Sequence, residues 1–168
     1  MVTEMIRAAS LEPQLYEEVE HDQSATAQAL GVVVIVSVLT GIGNALAGRG
    51  TEGMISGLIA ALVGWLIWSA LTYVIGTGIF GGKATYGEMM RTLGFAYAPG
   101  ALNVLRFIPV LGWVIVGIAA IWQLVAMVIA VRQGLDFGTG KALLTSLLGW
   151  IVLVVLTTLL SIPERILG

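Results

Sequence analysis

Polar and ionisable side chains are scarce in this sequence, and most of those in apolar surroundings fall between residues 85 and 107. At 100° per residue, the polar residues of this segment fall within about a third of a helix circumference. A polar stripe inside a membrane bundle suits a proton, an ion or a lipid headgroup. Together with one residue from the following apolar run, the candidates are Glu88, Arg91, Asn103, Arg106 and Gln123.

The segment that carries this stripe has two readings. Glu88 and Arg91 are three residues apart, a spacing that lets them pair on one helix face. A charge facing lipid near the bilayer centre costs about 2.5–3.5 kcal/mol on insertion scales, so a crossing segment would turn its stripe towards the bundle. A helix lying on the membrane surface would suit the same pattern. In either case Pro99 predicts a helix break.

The sequence contains no combination of residues that is typical of a catalytic or metal-binding site. His21 is the single histidine, it lies between Glu20 and Asp22, and the chain has no cysteine. No second histidine is available as a ligand, and no serine has a plausible base. We therefore expect no enzyme activity, no metal site and no cofactor.

The composition indicates lipid as the surrounding solvent. Hydrophobic residues make up 58% of the 168 residues, charged residues 11%, and the mean hydropathy is +0.97. Apolar runs of about 20 residues match a hydrocarbon core of about 30 Å. Because these runs are continuous rather than alternating, they predict helices and not a barrel.

The predicted fold is an all-α integral membrane protein, a five-span helical bundle preceded by a short amphipathic surface helix. The surface helix is placed at residues 8–22, with Ser10 as its cap and Leu15 and Val19 on one face. The last span is predicted to stop at Pro163. The five spans are placed at residues 27–46, 54–80, 85–107, 109–131 and 142–162.

Charged residues predict the orientation and exclude some partners. The acidic head before the first span argues against nucleic acid and anionic lipid as partners. With five spans, the amino-terminal side would hold Arg7, Lys83, Arg132 and Lys141, and the opposite side Arg49, Arg106 and Arg165. Because basic loops stay inside, this bias predicts a cytoplasmic amino terminus.

Small residues four apart recur in the predicted spans and let helix backbones approach closely. They predict packing within the bundle or an interface with a second copy. The pairs are Gly41 with Ala45, Gly57 with Ala61, Ala60 with Gly64, Gly94 with Ala98, and Ala126 with Ala130.

Several motifs together carry a family resemblance. They are the acidic LEPQLYEEVE, the turn GRGTEG, the span GWLIWSALTYVIG, the segment GGKATYGEMMRTLGFAYAPGAL and the closing WQLVAMVIAVRQGLDFGTGKALLTSLL. In this order, they resemble the prokaryotic branch of the Yip family, the Rab-GTPase-interacting membrane proteins. The likeness extends from about residue 12 to residue 160.

The resemblance implies a five-span protein of the prokaryotic cytoplasmic membrane with a cytoplasmic amino terminus. It divides the chain into an acidic juxtamembrane segment at residues 1–24 and a Yip-like transmembrane domain at residues 25–168. Eukaryotic relatives bind prenylated GTPases and aid vesicle formation. This chain lacks their long amino-terminal region with its acidic-aromatic motif, so GTPase binding is not carried over.

The sequence therefore predicts a non-enzymatic multi-pass membrane protein that acts through lateral contacts, as a scaffold, assembly factor or membrane-organising factor. Expected partners are membrane lipids and another membrane protein or a second copy of the chain. The alternative is a small permease or channel that uses the polar stripe.

Overall fold

A computed structural model describes the backbone of residues 1–167 and the side chains of residues 1–156 and 158. This range contains helices joined by turns and short irregular segments, and no strand. The α-helices are α1 (Val2–Ala9), α2 (Pro13–His21), α3 (Ala25–Asn44), α4 (Met54–Gly78), α5 (Tyr86–Phe95), α6 (Leu111–Gly134) and α7 (Thr139–Leu167).

Four helices of the described chain, α3, α4, α6 and α7, are long and apolar enough to cross a membrane. The predicted all-α membrane fold is thereby confirmed at this level. Most of their surface is exposed in the isolated chain, because each presents large apolar side chains outwards. Such a surface is stable only against hydrocarbon.

The amino-terminal residues form two short helices that pack onto the bundle. α2 places Leu15, Tyr16 and Val19 in the hydrophobic core, against α5 and α6. Pro13 opens α2, as expected, because its missing N–H is not needed in the first turn. The prediction that Ser10 caps this helix is wrong, since Ser10 ends α1, a helix that the sequence analysis did not predict.

The segment after α4 is divided into two helical pieces. α5 ends at Phe95, and a 3-10 helix occupies Ala98–Phe107. A proline ring clashes with the carbonyl four residues earlier, so Pro99 explains why the α-helix stops at Phe95. Residues 91–96 and 98–100 are all buried, which places this stretch at the centre of the molecule.

We call residues 86–107, which contain α5 and the 3-10 helix, the central segment. The central segment runs beside α3 in the same chain direction. A Cβ atom added to Gly94 would lie 2.6 Å from the Cβ of Ala29, and one added to Gly43 would lie 2.3 Å from the carbonyl oxygen of Asn103. The backbones of α3 and the central segment therefore touch near both ends of α3. Glycine permits this approach because it has no side chain.

The end of α3 agrees with the sequence-based prediction, whereas the end of α7 does not. α3 continues into one π-helical turn, Ala45–Arg49, and the chain turns where Gly48 and Gly50 have positive φ angles of 79° and 74°. This is the glycine-rich turn expected from the sequence. In contrast, α7 extends to Leu167, so the prediction that Pro163 ends it is wrong. Proline is tolerated inside membrane helices because neighbouring groups satisfy the freed carbonyl.

Candidate functional site

Glu88 lies at the start of α5, where it closes a capping box with Thr85. The Thr85 N–H donates to Glu88 Oε2 at 2.6 Å, and the Glu88 N–H donates to Thr85 Oγ1 at 3.3 Å. This arrangement satisfies two backbone donors at the helix end. A threonine three residues before a glutamate is a sequence signature of the capping box, and this signal could have predicted the role of Glu88.

Arg91 is buried and reaches the carboxyl end of α2. Its Nε donates to the carbonyl oxygens of Val19 at 2.9 Å and of Glu20 at 3.1 Å, and Nη2 also donates to the Glu20 carbonyl. These are terminal helix carbonyls that lack a partner within α2. A cation is favoured there by the helix dipole. No ion pair joins Glu88 and Arg91 among the described side chains.

Other bonds tie the central segment to the long helices. Trp65 of α4 donates from Nε1 to the carbonyl of Met90 at 3.0 Å. At the far end, Arg106 Nη1 donates to Asn44 Oδ1 at 2.7 Å. Polar groups at both ends of the segment are thus bonded within the protein.

Asn103 and Gln123 meet at a polar cleft of about 310 Å³ between α3, α4, α6 and the central segment. The cleft reaches the turn after α3, where Arg49 lines it. Its other polar lining residues are Ser37, Thr40, Asn44, Tyr97, Asn103 and Gln123. Asn103 Oδ1 is buried there with no hydrogen-bond partner among the described residues. The structure therefore divides the predicted stripe. Asn103 and Gln123 line the cleft, whereas the others are bonded elsewhere: Glu88 to Thr85, Arg91 to α2 and Arg106 to Asn44.

Glu20 is the most perturbed carboxyl group outside the long helices. It is buried at the end of α2, and this burial raises its pKa to about 7. Of the charged groups that act on it, His21 and Arg91 favour its ionised form, and Asp136 and Glu88 oppose it. Glu20 was not among the predicted site residues, because nothing in the local pattern shows that α2 packs against α5 and α6.

No three His, Asp or Glu side chains in the described part of the chain lie close enough together to hold a metal ion. His21 itself is exposed. The chemistry that the described residues offer is therefore hydrogen bonding in a cleft and ionisation at the α2 end.

Long apolar helices around a buried polar segment define a multi-pass helical membrane protein. A family model described as the Yip1 domain matches residues 13–160, and the chain belongs to this family of non-catalytic membrane proteins. The resemblance to the Yip family is thereby confirmed, and its prokaryotic branch stays a prediction. No curated protein and no solved structure matches the chain.

Proposed function

We propose that this protein is a non-enzymatic scaffold, assembly or membrane-organising factor that acts through lateral contacts with other membrane proteins or lipids. The observation that supports this function is that the interior arginines form hydrogen bonds within the bundle. Arg91 is bonded to the α2 carbonyls and Arg106 to Asn44, so these groups hold the bundle together. The apolar outer surface is left as the place where contacts form.

The proposal includes a five-span topology in which the central segment is the third crossing. Its parallel course beside α3 supports this count, because Gly94 lies near the start of α3 and Asn103 near its end. The basic residues then favour a cytoplasmic amino terminus in the prokaryotic cytoplasmic membrane. The polar stripe is proposed to serve as the internal support of this crossing.

Site-specific photo-crosslinking in the native membrane tests the lateral-contact function. A photoreactive residue is placed at an exposed position on three spans, namely Ile55, Ile121 and Leu147, which are 75%, 69% and 54% exposed. Ala119, two residues before Ile121 and 1% exposed, is the matched control. We expect a discrete protein adduct from at least one exposed position and none from Ala119. If no exposed position yields a protein adduct, the scaffold function is contradicted.

The second candidate function is a small permease or channel, and the polar cleft favours it. The cleft extends from the turn after α3 to Gln123 and contains the unpaired Asn103 oxygen. Flux assays with the purified protein in liposomes test this function. A permease would move ions, protons or lipids and lose this activity in Gln123→Leu, and Glu88→Gln would test the capping end of the stripe. Absence of flux in the unmodified protein would rule this candidate out.

A further inference from the structure

A recess at one end of the bundle lies between the turn that follows α3 and the start of α6. Its volume is about 410 Å³, and two arginines, Arg49 and Arg106, line it together. The other side chains that line it are apolar and include Val110, Trp113 and Val116. We call it the arginine recess.

The positive charge of the arginine recess is not neutralised by acidic side chains. No aspartate or glutamate lines it, and neither arginine forms an ion pair within the described part of the chain. The acidic head precedes α3, whereas Arg49 lies beyond the far end of α3, about 36 Å away along the helix. A negatively charged occupant would therefore be attracted to the recess.

Arg106 is held in place by one bond and keeps other donors for an occupant. Its Nη1 donates to Asn44 Oδ1 at 2.7 Å, whereas no described residue accepts a hydrogen bond from its Nε or Nη2. Neither of these two nitrogens is among the buried polar atoms that lack a partner, so both remain accessible at the recess. A guanidinium group donates parallel hydrogen bonds to the oxygens of a phosphate or carboxylate. The side chain of Arg106 is thus already oriented to bind such an anion.

The arginine recess lies at the depth of the lipid headgroups. α6 is long and apolar enough to cross a membrane and begins at Leu111, so Trp113 is in its first turn. The Trp113 side chain is 75% exposed, at the headgroup level where membrane tryptophans usually gather. Val116 lies three residues further along α6, about 5 Å deeper. The recess therefore joins charged groups at the headgroup level to an apolar wall that continues towards the acyl chains.

We propose that the arginine recess binds an anionic glycerophospholipid, with its phosphodiester held by Arg49 and Arg106 and an acyl chain lying along Trp113 and Val116. The two guanidinium groups select the negative charge, and the exposed apolar wall favours a lipid over a free anion. This inference names a lipid among the lateral contacts proposed above. It rests on that proposal only in placing α3 and α6 against lipid.

The test is native mass spectrometry of the protein in mild detergent, titrated with dioleoyl phosphatidylglycerol and with dioleoyl phosphatidylcholine. The two lipids have the same chains and phosphodiester, but only the first has a net negative charge. We expect one phosphatidylglycerol retained per chain, with a preference over phosphatidylcholine of at least about tenfold, because each arginine near a membrane surface favours anionic lipid about fivefold. This comparison uses the unmodified protein and does not depend on whether a variant folds.

Variants then locate the site. Arg49→Gln is expected to lower the preference for phosphatidylglycerol about fivefold, and the double variant Arg49→Gln with Arg106→Gln is expected to remove it. Arg49 has no bond to another described side chain, so its single variant tests binding without loss of a contact within the bundle. Arg132→Gln is the matched control, because Arg132 lies at the other end of α6 and outside the recess, and it should keep the full preference.

The choice between a lipid and a free anion is tested with glycerophosphoglycerol, the same headgroup without acyl chains. We expect no displacement of the retained lipid when this compound is present in large excess. Displacement at concentrations similar to those of the lipid would show a site for a soluble anion and would overturn the choice of occupant.

Three further results would overturn the proposal. They are equal retention of the two lipids, an unchanged preference in Arg49→Gln, and an equal loss of preference in Arg132→Gln. The crosslinking positions Ile55, Ile121 and Leu147 lie outside the recess. Protein adducts at these positions without a preference for anionic lipid would therefore overturn this inference and leave the proposed function standing.

Discussion

Arg91 shows how a single charged residue is accommodated at low cost inside an apolar molecule. Its side chain is 7% exposed, yet it faces the carbonyl end of α2 instead of lipid. A buried cation is tolerable when its donors are paired with well-placed acceptors. Arg91 therefore connects the amino-terminal helices to the central segment.

Replacement of Arg91 tests this connection. We expect Arg91→Gln to lower the free energy of unfolding in detergent by about 2–4 kcal/mol, because bonds from a charged donor to buried carbonyls are lost. The amino-terminal helices should also become sensitive to protease. Arg49→Gln, at an exposed position where no other described residue bonds to the side chain, should leave both readouts unchanged. Equal protease resistance in Arg91→Gln would contradict the role assigned to Arg91.

Glu20 predicts a pH dependence of stability. Its pKa is about 7 in the folded protein, against about 4.3 for a free glutamate side chain. Between these values the folded state holds more protons than the unfolded state, so stability falls as pH rises through that window. The loss is complete above about pH 7 and amounts to about 3–4 kcal/mol.

Thermal unfolding in detergent between pH 4 and pH 8 measures this effect. We expect Glu20→Gln to flatten the pH dependence and to be more stable than the unmodified protein at pH 8, because a buried carboxylate is no longer formed. Glu52→Gln, in the exposed turn before α4, serves as the control. A slope that persists in Glu20→Gln would show that another group is responsible.

Residue types alone indicated the polar set but not its bonding. The sequence singled out Glu88, Arg91, Asn103 and Arg106 because they interrupt an apolar segment. The partners of the two arginines come from other elements, for example Val19 for Arg91, 72 residues away in the chain. Helical spacing describes neighbours within one helix, so it offered the Glu88–Arg91 pair and could not reveal these long-range bonds.

At the scale of elements, the contact between α3 and the central segment depends on glycine. A Cβ atom at position 43 would overlap the carbonyl oxygen of Asn103, which cannot move without shifting the 3-10 helix. We expect Gly43→Ala to lower the free energy of unfolding by about 1–3 kcal/mol through this overlap. Thermal unfolding in detergent is the measurement.

Gly117→Ala is the matched substitution for this prediction. Gly117 is also inside a helix, but a Cβ atom there would meet nothing within 4 Å. Gly117→Ala should change the free energy of unfolding by less than about 1 kcal/mol, since only helix propensity is altered. If Gly43→Ala proves as mild as Gly117→Ala, the close approach of the two backbones is contradicted.

The positions of the long helices were predictable from the sequence. The packing contacts of the small residues were only partly predictable. Continuous apolar runs place α3, α4, α6 and α7 correctly because hydrophobic length alone selects membrane helices. Small-residue spacing anticipated the packing role of Gly94, which lies against Ala29. At Gly57 and Gly64, which border cavities, the expected packing within the bundle is not found, because spacing does not reveal which face meets another helix. An interface with a second copy stays a prediction there.

At the scale of the molecule, the central segment organises the other helices around a broken and polar core. It is shorter and less apolar than its neighbours, and it is absent from the set of candidate membrane helices in the described chain. Burial by surrounding protein permits this, since irregular backbone at membrane depth is tolerated where lipid does not reach it. The proposed five-span topology therefore requires that the segment pass from one side of the bundle to the other.

Thiol accessibility at the two ends of this segment tests that claim most directly, because the chain contains no cysteine. Single variants Lys83→Cys and Val110→Cys are labelled with an impermeant reagent in vesicles of known orientation. Ser10→Cys and Gly53→Cys provide the reference for each side. We predict that position 83 labels from the same side as position 10, and position 110 from the same side as position 53. Labelling of positions 83 and 110 from one side would contradict the crossing.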